Sequence, residues 1–234
     1  PDWLKKKLLA IGLRPISALV DITNFITFDL GRPLHVYDAD KLKGNLSMRL
    51  AKDGEMCKTL DEKEYKLSSN MVVIADNEKL HGIGGVMGGF ASGCSMDTTN
   101  VFLEVALFDP ISVTKTGREL NLQSDARFRF ERGIDSTSID WGVDKATDMI
   151  LDLCGGEASK ITMAGDYEIS GKTIQYNFKR INSLGGINID KKNQKEILNR
   201  LGFKFSNSLD NLCDVKIPTH RPDIEGEADL VEEI

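Results

Sequence analysis

Cysteine is scarce in this 234-residue chain: Cys57, Cys94, Cys154 and Cys213 are the four, and none form a CxxC pair. The three histidines (His35, His81, His220) are scattered, so a zinc site is not expected. A disulfide framework is not expected at this density either, and a reducing cytosol is the simpler reading. No apolar run is long enough to span a bilayer, and no signal peptide opens the chain. The net charge of −6 argues against a protein that coats nucleic acid by charge alone, while leaving room for a local basic strip. There is no internal repeat and no low-complexity segment. The chain opens on Pro1 and stops at "EADLVEEI", inside a helical pattern, so both ends read as cut and an excised piece of a longer protein is expected.

What is present is ordinary globular material. The hydrophobic fraction is 41% and the charged fraction 28%, in a chain long enough for one large domain or two ordinary ones. "DWLKKKLLAIG" reads as a short amphipathic helix closed by Gly12. "ISALVDITNFITFDLG" places Ile16, Leu19, Val20, Ile26 and Leu30 near a helical period, with Gly31 as a stop. "LSMRLAKDGE" and "MVVIAD" read as strands, with a hairpin or loop in "KTLDEKEYKLS" between them. "SIDWGVDKATDMILDLCGG" reads as a helix with Ile139, Val143, Ile150 and Cys154 on one face. After a boundary expected near residues 163–172 the pattern restarts: strand "TIQYNF", helix "IDKKNQKEILNRLGF" with Asp190 as N-cap and Gly202 past its end, strand "CDVKIP", and a helix opening at "EGEADLVEEI".

Five stretches carry candidate chemistry. In "NVFLEVALFDP", seven of the eight residues from Val101 to Phe108 are apolar, and the eighth is Glu104. On a strand, Glu104 shares its face with Phe102, Ala106 and Phe108, the composition of a pocket for a ring-bearing ligand with one polar anchor. A carboxylate paired to an arginine or to backbone amides inside the fold would read the same way. "HGIGGVMGGF" has five glycines in ten residues and must be a turn, or a loop pressed close to something. It lacks both the GxGxxG register and the Lys-Ser/Thr of a P-loop, so it is weak as a phosphate motif. "GRPLHVYD" carries His35, which is either structural or functional, and nothing local supplies a nucleophile for a triad. "SDARFRFERG" interleaves Arg127, Arg129 and Arg132 with Phe128 and Phe130. That suits single-stranded nucleic acid, or else a solvated arginine face above an apolar one. In "HRPDIEGEADLVEEI", Asp229, Glu232 and Glu233 share a helix face with Asp223 in the preceding turn. The cluster suits Mg²⁺, or a helix start satisfying its dipole.

The succession "RPISALVDITNFITFDLGRPLHVYDADKL", "GGVMGG", "NVFLEVALFDP", "SDARFRFERGID", "LCGGE", "RPDIEGEADLVEEI" resembles the β subunit of bacterial phenylalanyl-tRNA synthetase. The resemblance implies an α+β chain: a mixed-sheet B3/B4-type editing domain over residues 1–165, followed by a small, C-terminally truncated α+β B5 domain over 170–234. It implies an α₂β₂ ligase that attaches phenylalanine to tRNA(Phe) with ATP at a site in the α subunit, a cytoplasmic location, and hydrolysis of misattached Tyr-tRNA(Phe) in the B3/B4 domain. Glu104 matches the glutamate that recognises the tyrosine hydroxyl, and His35 the histidine beside the ester; these two are the expected catalytic pair. Gly85, Gly88, Ser124 and Ala126 match the pocket lining, with Asn24 and Arg14 as weaker carry-overs. Asp223, Asp229, Glu232 and Glu233 match Mg²⁺ positions shared with the α subunit.

The physical logic agrees with that resemblance. Phenylalanine and tyrosine differ by one hydroxyl, and a site built to hydrogen-bond it can discriminate by roughly 10⁴-fold. With no serine, cysteine or metal nucleophile in evidence, the expected attacker of the ester is water, oriented with help from the substrate's own ribose hydroxyl, with glycine-loop amides expected to hold the oxyanion. Two departures stand out: Arg127-Phe128 replaces the family's Ser-His, and Glu62 replaces its glycine after "LD". The rival readings are a non-catalytic RNA-binding or scaffold module with lapsed editing, and a freestanding deacylase.

Overall fold

In a computed structural model of the chain, which describes residues 1–165 and 171–234, the first helix follows directly from spacing. In α1 (Asp2–Ala10), Leu4 and Leu8 are buried one turn apart while Lys5, Lys6 and Lys7 stay exposed. In α2 (Ala18–Asp29) Ser17 caps the start, and Leu19, Ile22 and Ile26 face inward. Ile16 and Leu30, expected on that face, lie outside the helix and are exposed. Then come β1 (His35–Asp38), β2 (Ser47–Leu50), β3 (Met56–Lys58), β4 (Glu64–Lys66), β5 (Val72–Ala75), β6 (Leu80–Ile83), β7 (Met87–Gly88) and β8 (Val101–Glu104). Three helices follow: α3 (Pro110–Glu119), α4 (Asp125–Phe130) and α5 (Ser138–Cys154). The rest is β9 (Thr173–Asn177), α6 (Arg180–Ser183), α7 (Lys191–Arg200), β10 (Lys204–Leu209), β11 (Leu212–Lys216) and α8 (Glu227–Glu232).

The class is α+β. Every strand pairing among the described residues is antiparallel, where a mixed sheet was expected. Short connections make β3-β4, β5-β6, β6-β7 and β10-β11 antiparallel, and the long-range pairs β1-β8, β2-β5 and β9-β11 are antiparallel as well. The sheets are β2-β5-β6-β7, the ribbons β1-β8 and β3-β4, and β10-β11-β9. The chain divides into two units, one of Pro1–Ile134 with Ser138–Ala164 and one of Asp135–Thr137 with Gly165–Ile234. The boundary expected near residues 163–172 falls in part on 166–170, outside the described residues.

The first unit has two apolar clusters. One gathers Val73, Ile83, Val113 and Phe130 around the four-stranded sheet. The other joins Leu4, Leu8, Ile22, Ile26, Ala146 and Met149 from α1, α2 and α5. The inward face of α5 is Ser138, Gly142, Ala146 and Met149. The larger residues expected there, Ile139, Val143 and Ile150, are half-buried and Cys154 is exposed. Small residues take the face because Ala146 packs with Ile22 and Ile26 of α2, and Arg32 and Val105 lie against Gly142. In the second unit Tyr176, Phe178, Leu198, Phe203, Val215 and Leu230 form the core. There Asp190 caps α7 as expected, accepting from Asn193 N at 2.9 Å, and Gly202 follows its end at φ +93°.

Two further expectations change. β8 stops at Glu104 rather than running to Phe108. Its partner β1 begins opposite, at His35, and the chain before His35 passes through Pro33, which has no N–H to extend the ladder. Within "SDARFRFERG", Asp125–Phe130 is helical with Ser124 as N-cap, so its arginines and phenylalanines are set out at helical spacing. Its arginines are occupied locally: Arg127 pairs with Glu131, Arg129 with Asp125, and Arg132 lies over the Phe128 ring.

Glu62 sits in the β3–β4 turn at φ +64°, a left-handed conformation that costs a non-glycine residue roughly 1–2 kcal/mol. Glu62→Gly removes that strain and gives back part of it as unfolded-chain entropy. A net gain of about 0.5–1 kcal/mol, or about 2 °C in the midpoint of thermal unfolding, is expected. A lower midpoint would show that the turn holds Glu62 by its side chain.

Candidate functional site

The site forms where the β1–β8 ribbon meets the glycine-rich hairpin. His35 lies directly opposite Glu104 in the ladder, and Tyr37 opposite Phe102. Alternation puts His35 and Tyr37 on one face of β1, and their rings meet edge-to-face with centroids 4.5 Å apart. Tyr37 is 1% exposed, and its hydroxyl donates to Glu104 Oε2. A polar tip on a buried ring needs such a partner. Arg32, fully buried just before β1, donates from Nη2 to the Ala106 carbonyl at 2.6 Å. Burial pushes the Glu104 carboxyl above its ordinary range, against the opposing pull of the Tyr37 hydroxyl and the Arg32 charge. The Tyr37 phenol is pushed far up, first by burial and then by the neighbouring carboxylate.

The glycine-rich stretch is two strands and a turn, not a loop throughout. β6 and β7 pair, and the turn between them closes through Val86 N to Ile83 O at 3.0 Å. Gly85 occupies its third position at φ +70°, which favours glycine, and a Cβ there would lie 2.8 Å from Val113 Cγ2. A Cβ on Gly88 would lie 2.5 Å from the His35 ring, so only glycine lets the imidazole reach its place. His35 is half-buried as a residue, but its Nε2 is covered and has no hydrogen-bond partner among the described residues. Burial lowers its pKa to about 4, so the imidazole is neutral at pH 7.

These elements wall a partly open cavity of about 80 Å³, lined by His35, Tyr37, Gly85, Gly88, Glu104, Ala106, Phe108 and Ala126 among others. Phe102, expected beside them, is 40% exposed and is not part of the lining. Ser124 acts from behind: it caps α4 and its hydroxyl donates to the Val86 carbonyl, tying α4 to the glycine turn. Asn24, on α2, and Arg14, exposed in the loop before it, do not line the cavity. Sequence reasoning missed Tyr37 and Arg32. The i, i+2 spacing of His35 and Tyr37 on a strand was the signal available for the first.

A family model described as the B3/4 domain matches residues 1–155. The chain belongs to the B3/4 domain family. A second model, the tRNA synthetase B5 domain, matches residues 174–234. Over all 234 residues the chain is 50% identical to the phenylalanine–tRNA ligase beta subunit of Ruegeria pomeroyi and covers 29% of that protein. It is 51% identical to that of Paramagnetospirillum magneticum, again over 234 residues and 29% of the relative. The chain thus spans less than a third of the length of these relatives. A solved N-terminal fragment of the phenylalanyl-tRNA synthetase beta-subunit from Pyrococcus horikoshii is similar at a TM-score of 0.41 and 15% identity, covering 92% of this chain and 63% of that one. That likeness is too loose to bear on the fold. Among the described residues no helix is long and apolar enough to cross a membrane.

The carboxylates expected to hold Mg²⁺ lie in the B5-matching segment and do not converge. Arg221 grips Asp223 through Nε and Nη2, at 2.9 and 2.6 Å, and reaches Glu233 Oε1 at 2.5 Å. Asp229 caps the start of α8, accepting from the backbone N–H groups of Glu225 and Gly226 at 2.8 Å. Glu232 is exposed. Among the described residues no three His, Cys, Asp or Glu side chains are grouped to hold a metal ion. A guanidinium sits where a cation would have to be, so the set does not fit Mg²⁺ held by this chain alone. Titration calorimetry of this chain with Mg²⁺ is expected to show no stoichiometric binding. Tight one-to-one binding would require Arg221 to swing away.

His35 also makes the B3/4 unit sensitive to acid. Its folded pKa is about 4 against an ordinary 6.5, so the unfolded chain binds the extra proton between those values. The stabilisation is complete above pH 6.5 and is lost as pH falls towards 4, by about 3 kcal/mol at most. Glu104, pushed the other way, partly opposes this above its ordinary pKa. The difference between wild-type and His35→Gln stability curves therefore isolates the imidazole. His35→Gln should flatten the slope between pH 6.5 and 4.5, and an unchanged slope would mean that His35 is already solvated.

Proposed function

We propose that the B3/4 unit hydrolyses tyrosine misattached to tRNA(Phe), as the editing site of a phenylalanine–tRNA ligase beta subunit. The whole enzyme would pair this subunit with an α subunit in an α₂β₂ assembly that uses ATP and Mg²⁺ to charge tRNA(Phe) with phenylalanine. The observation that carries the reading is the direct pairing of His35 with Glu104 across a ribbon that walls an apolar, glycine-floored cavity.

The roles follow from the chemistry present. A carboxylate has two oxygens and about four lone-pair sites, and Tyr37 takes one. Glu104 can thus accept a second phenol hydroxyl, that of the substrate, while Phe108, Ala106 and Ala126 contact the ring. Phenylalanine leaves that acceptor unpaired, which sets the preference. His35, with a pKa of about 4, is too weak a base to deprotonate water at pH 7, so its free Nε2 orients the attacking water or the terminal ribose. In the glycine turn the amides of Gly84, Val86 and Gly89 are bonded to Val72, Ile83 and His81 carbonyls. Gly85 N–H has no acceptor among the described residues, and it is the amide assigned to the oxyanion.

One observation favours a second reading, a tRNA-binding module whose editing has lapsed. The cavity of about 80 Å³ is smaller than the roughly 150 Å³ cavity that admits benzene. A tyrosyl ring seated fully inside it needs a lining side chain to yield, and Met87 is the unbranched one that can.

In the whole two-subunit enzyme, Glu104→Ala should lower the preference for Tyr-tRNA(Phe) over Phe-tRNA(Phe) in deacylation by roughly ten- to a hundred-fold, the worth of a hydrogen bond to a charged group. Phe-tRNA(Phe) synthesis should be nearly unchanged. Glu104→Gln should keep part of the preference, because an amide oxygen still accepts. If the wild-type enzyme leaves Tyr-tRNA(Phe) intact, editing has lapsed. If Glu104→Gln edits normally while Glu104→Ala unfolds, the carboxylate is structural.

A further inference from the structure

Among the described residues the Tyr37 hydroxyl is the side-chain donor hydrogen-bonded to Glu104, and the editing reading gives it no part in selection beyond occupying one lone pair. We propose that Tyr37 is a positioning residue for tyrosine selection: by donating its hydroxyl to Glu104 Oε2 it holds Glu104 as an ionised acceptor and leaves the other oxygen for the substrate's phenol. This rests on the editing reading above.

Geometry supports it in three ways. Tyr37 sits diagonal to Glu104 in the β1–β8 register, within reach of a long side chain. Its ring is clamped edge-on by His35 at 4.5 Å, Phe102 at 6.1 Å and His81 at 6.3 Å, so the hydroxyl cannot swing away. At 1% exposure it has no water to bond instead. A phenol carries a single proton, and beside a carboxylate it donates it. With that donor removed, burial favours the neutral acid, which accepts from the substrate's hydroxyl through an uncharged oxygen and so holds it more weakly than the carboxylate does.

The charged and titratable groups around Glu104 are few. Arg32 lies on the approach to β1, His35 and Tyr37 are on β1, and His81 is on β6, behind the Tyr37 ring. The lining from β7 and α4, namely Met87, Gly88, Ala126 and Phe130, is uncharged. Arg32 and Tyr37 favour the ionised form, and burial opposes it. Loss of the Tyr37 hydroxyl therefore raises the pH at which Glu104 ionises.

The test is the pH profile of Tyr-tRNA(Phe) against Phe-tRNA(Phe) hydrolysis by the whole enzyme, from about pH 5.5 to about pH 8.5. His35 titrates near 4 and stays neutral across that range. Tyr37→Phe should move the acid limb of tyrosine preference up by about one pH unit, with near wild-type preference recovered at the alkaline end. In a Glu104→Gln background, Tyr37→Phe should shift nothing, since no carboxyl remains to titrate. Incorporation of 3-fluorotyrosine in place of Tyr37, a stronger donor of nearly the same shape, should move the limb down and keeps the test open if Tyr37→Phe fails to fold. A uniform loss at every pH, an unmoved limb with 3-fluorotyrosine, or a limb that survives Glu104→Gln would overturn the inference. A wild-type enzyme that does not hydrolyse Tyr-tRNA(Phe) would instead overturn the editing reading.

Discussion

The arrangement of the B3/4 unit turns on one buried carboxylate. Glu104 stands at the end of an apolar strand, where an isolated charge would be expensive. The ribbon meets that cost with the Tyr37 hydroxyl, and Arg32 lies close enough to favour the charge. Antiparallel pairing fixes His35 opposite Glu104 and Tyr37 two residues on, so one register delivers the carboxylate, its donor and the imidazole together. A one-residue slip would turn all three away.

The glycines are the counterpart of that crowding. His35 fills the space where a Gly88 side chain would stand, and the turn needs a left-handed residue at Gly85. Ser124 locks the turn from the other side while capping α4, so one hydroxyl serves both a helix start and the cavity floor. The floor is thus backbone held by neighbours. That is the kind of surface that brings an amide to a developing oxyanion without a side chain in the way.

The B5-matching segment uses its acids differently. Asp229 satisfies a helix start while Asp223 and Glu233 share a single arginine, so three of the four carboxylates have a structural partner within the chain and Glu232 is left exposed. The same spacing on a sequence page suits a cation, because an i, i+3, i+4 pattern records which residues share a face. It does not record whether a guanidinium lies between them.

The sequence by itself determined the local grammar. Leu4 with Leu8, Ser17 before α2 and Asp190 with Gly202 around α7 follow from spacing and capping chemistry, which act over one or two turns. It also marked Glu104, because a lone acid in an apolar run is conspicuous. It misplaced what depends on distant partners. β8 ends at Glu104 because β1 begins at His35 beyond Pro33. Gly142 and Ala146, not Val143 and Cys154, face the core because Arg32 and Val105 lie against the first and α2 packs on the second. "SDARFRFERG" is a helix because Ser124 caps it against the glycine turn. Tyr37, 67 residues before Glu104, was invisible as its partner. Residue type and period are properties of the chain, but the pairing of a buried charge is settled only when strands far apart in sequence take their register.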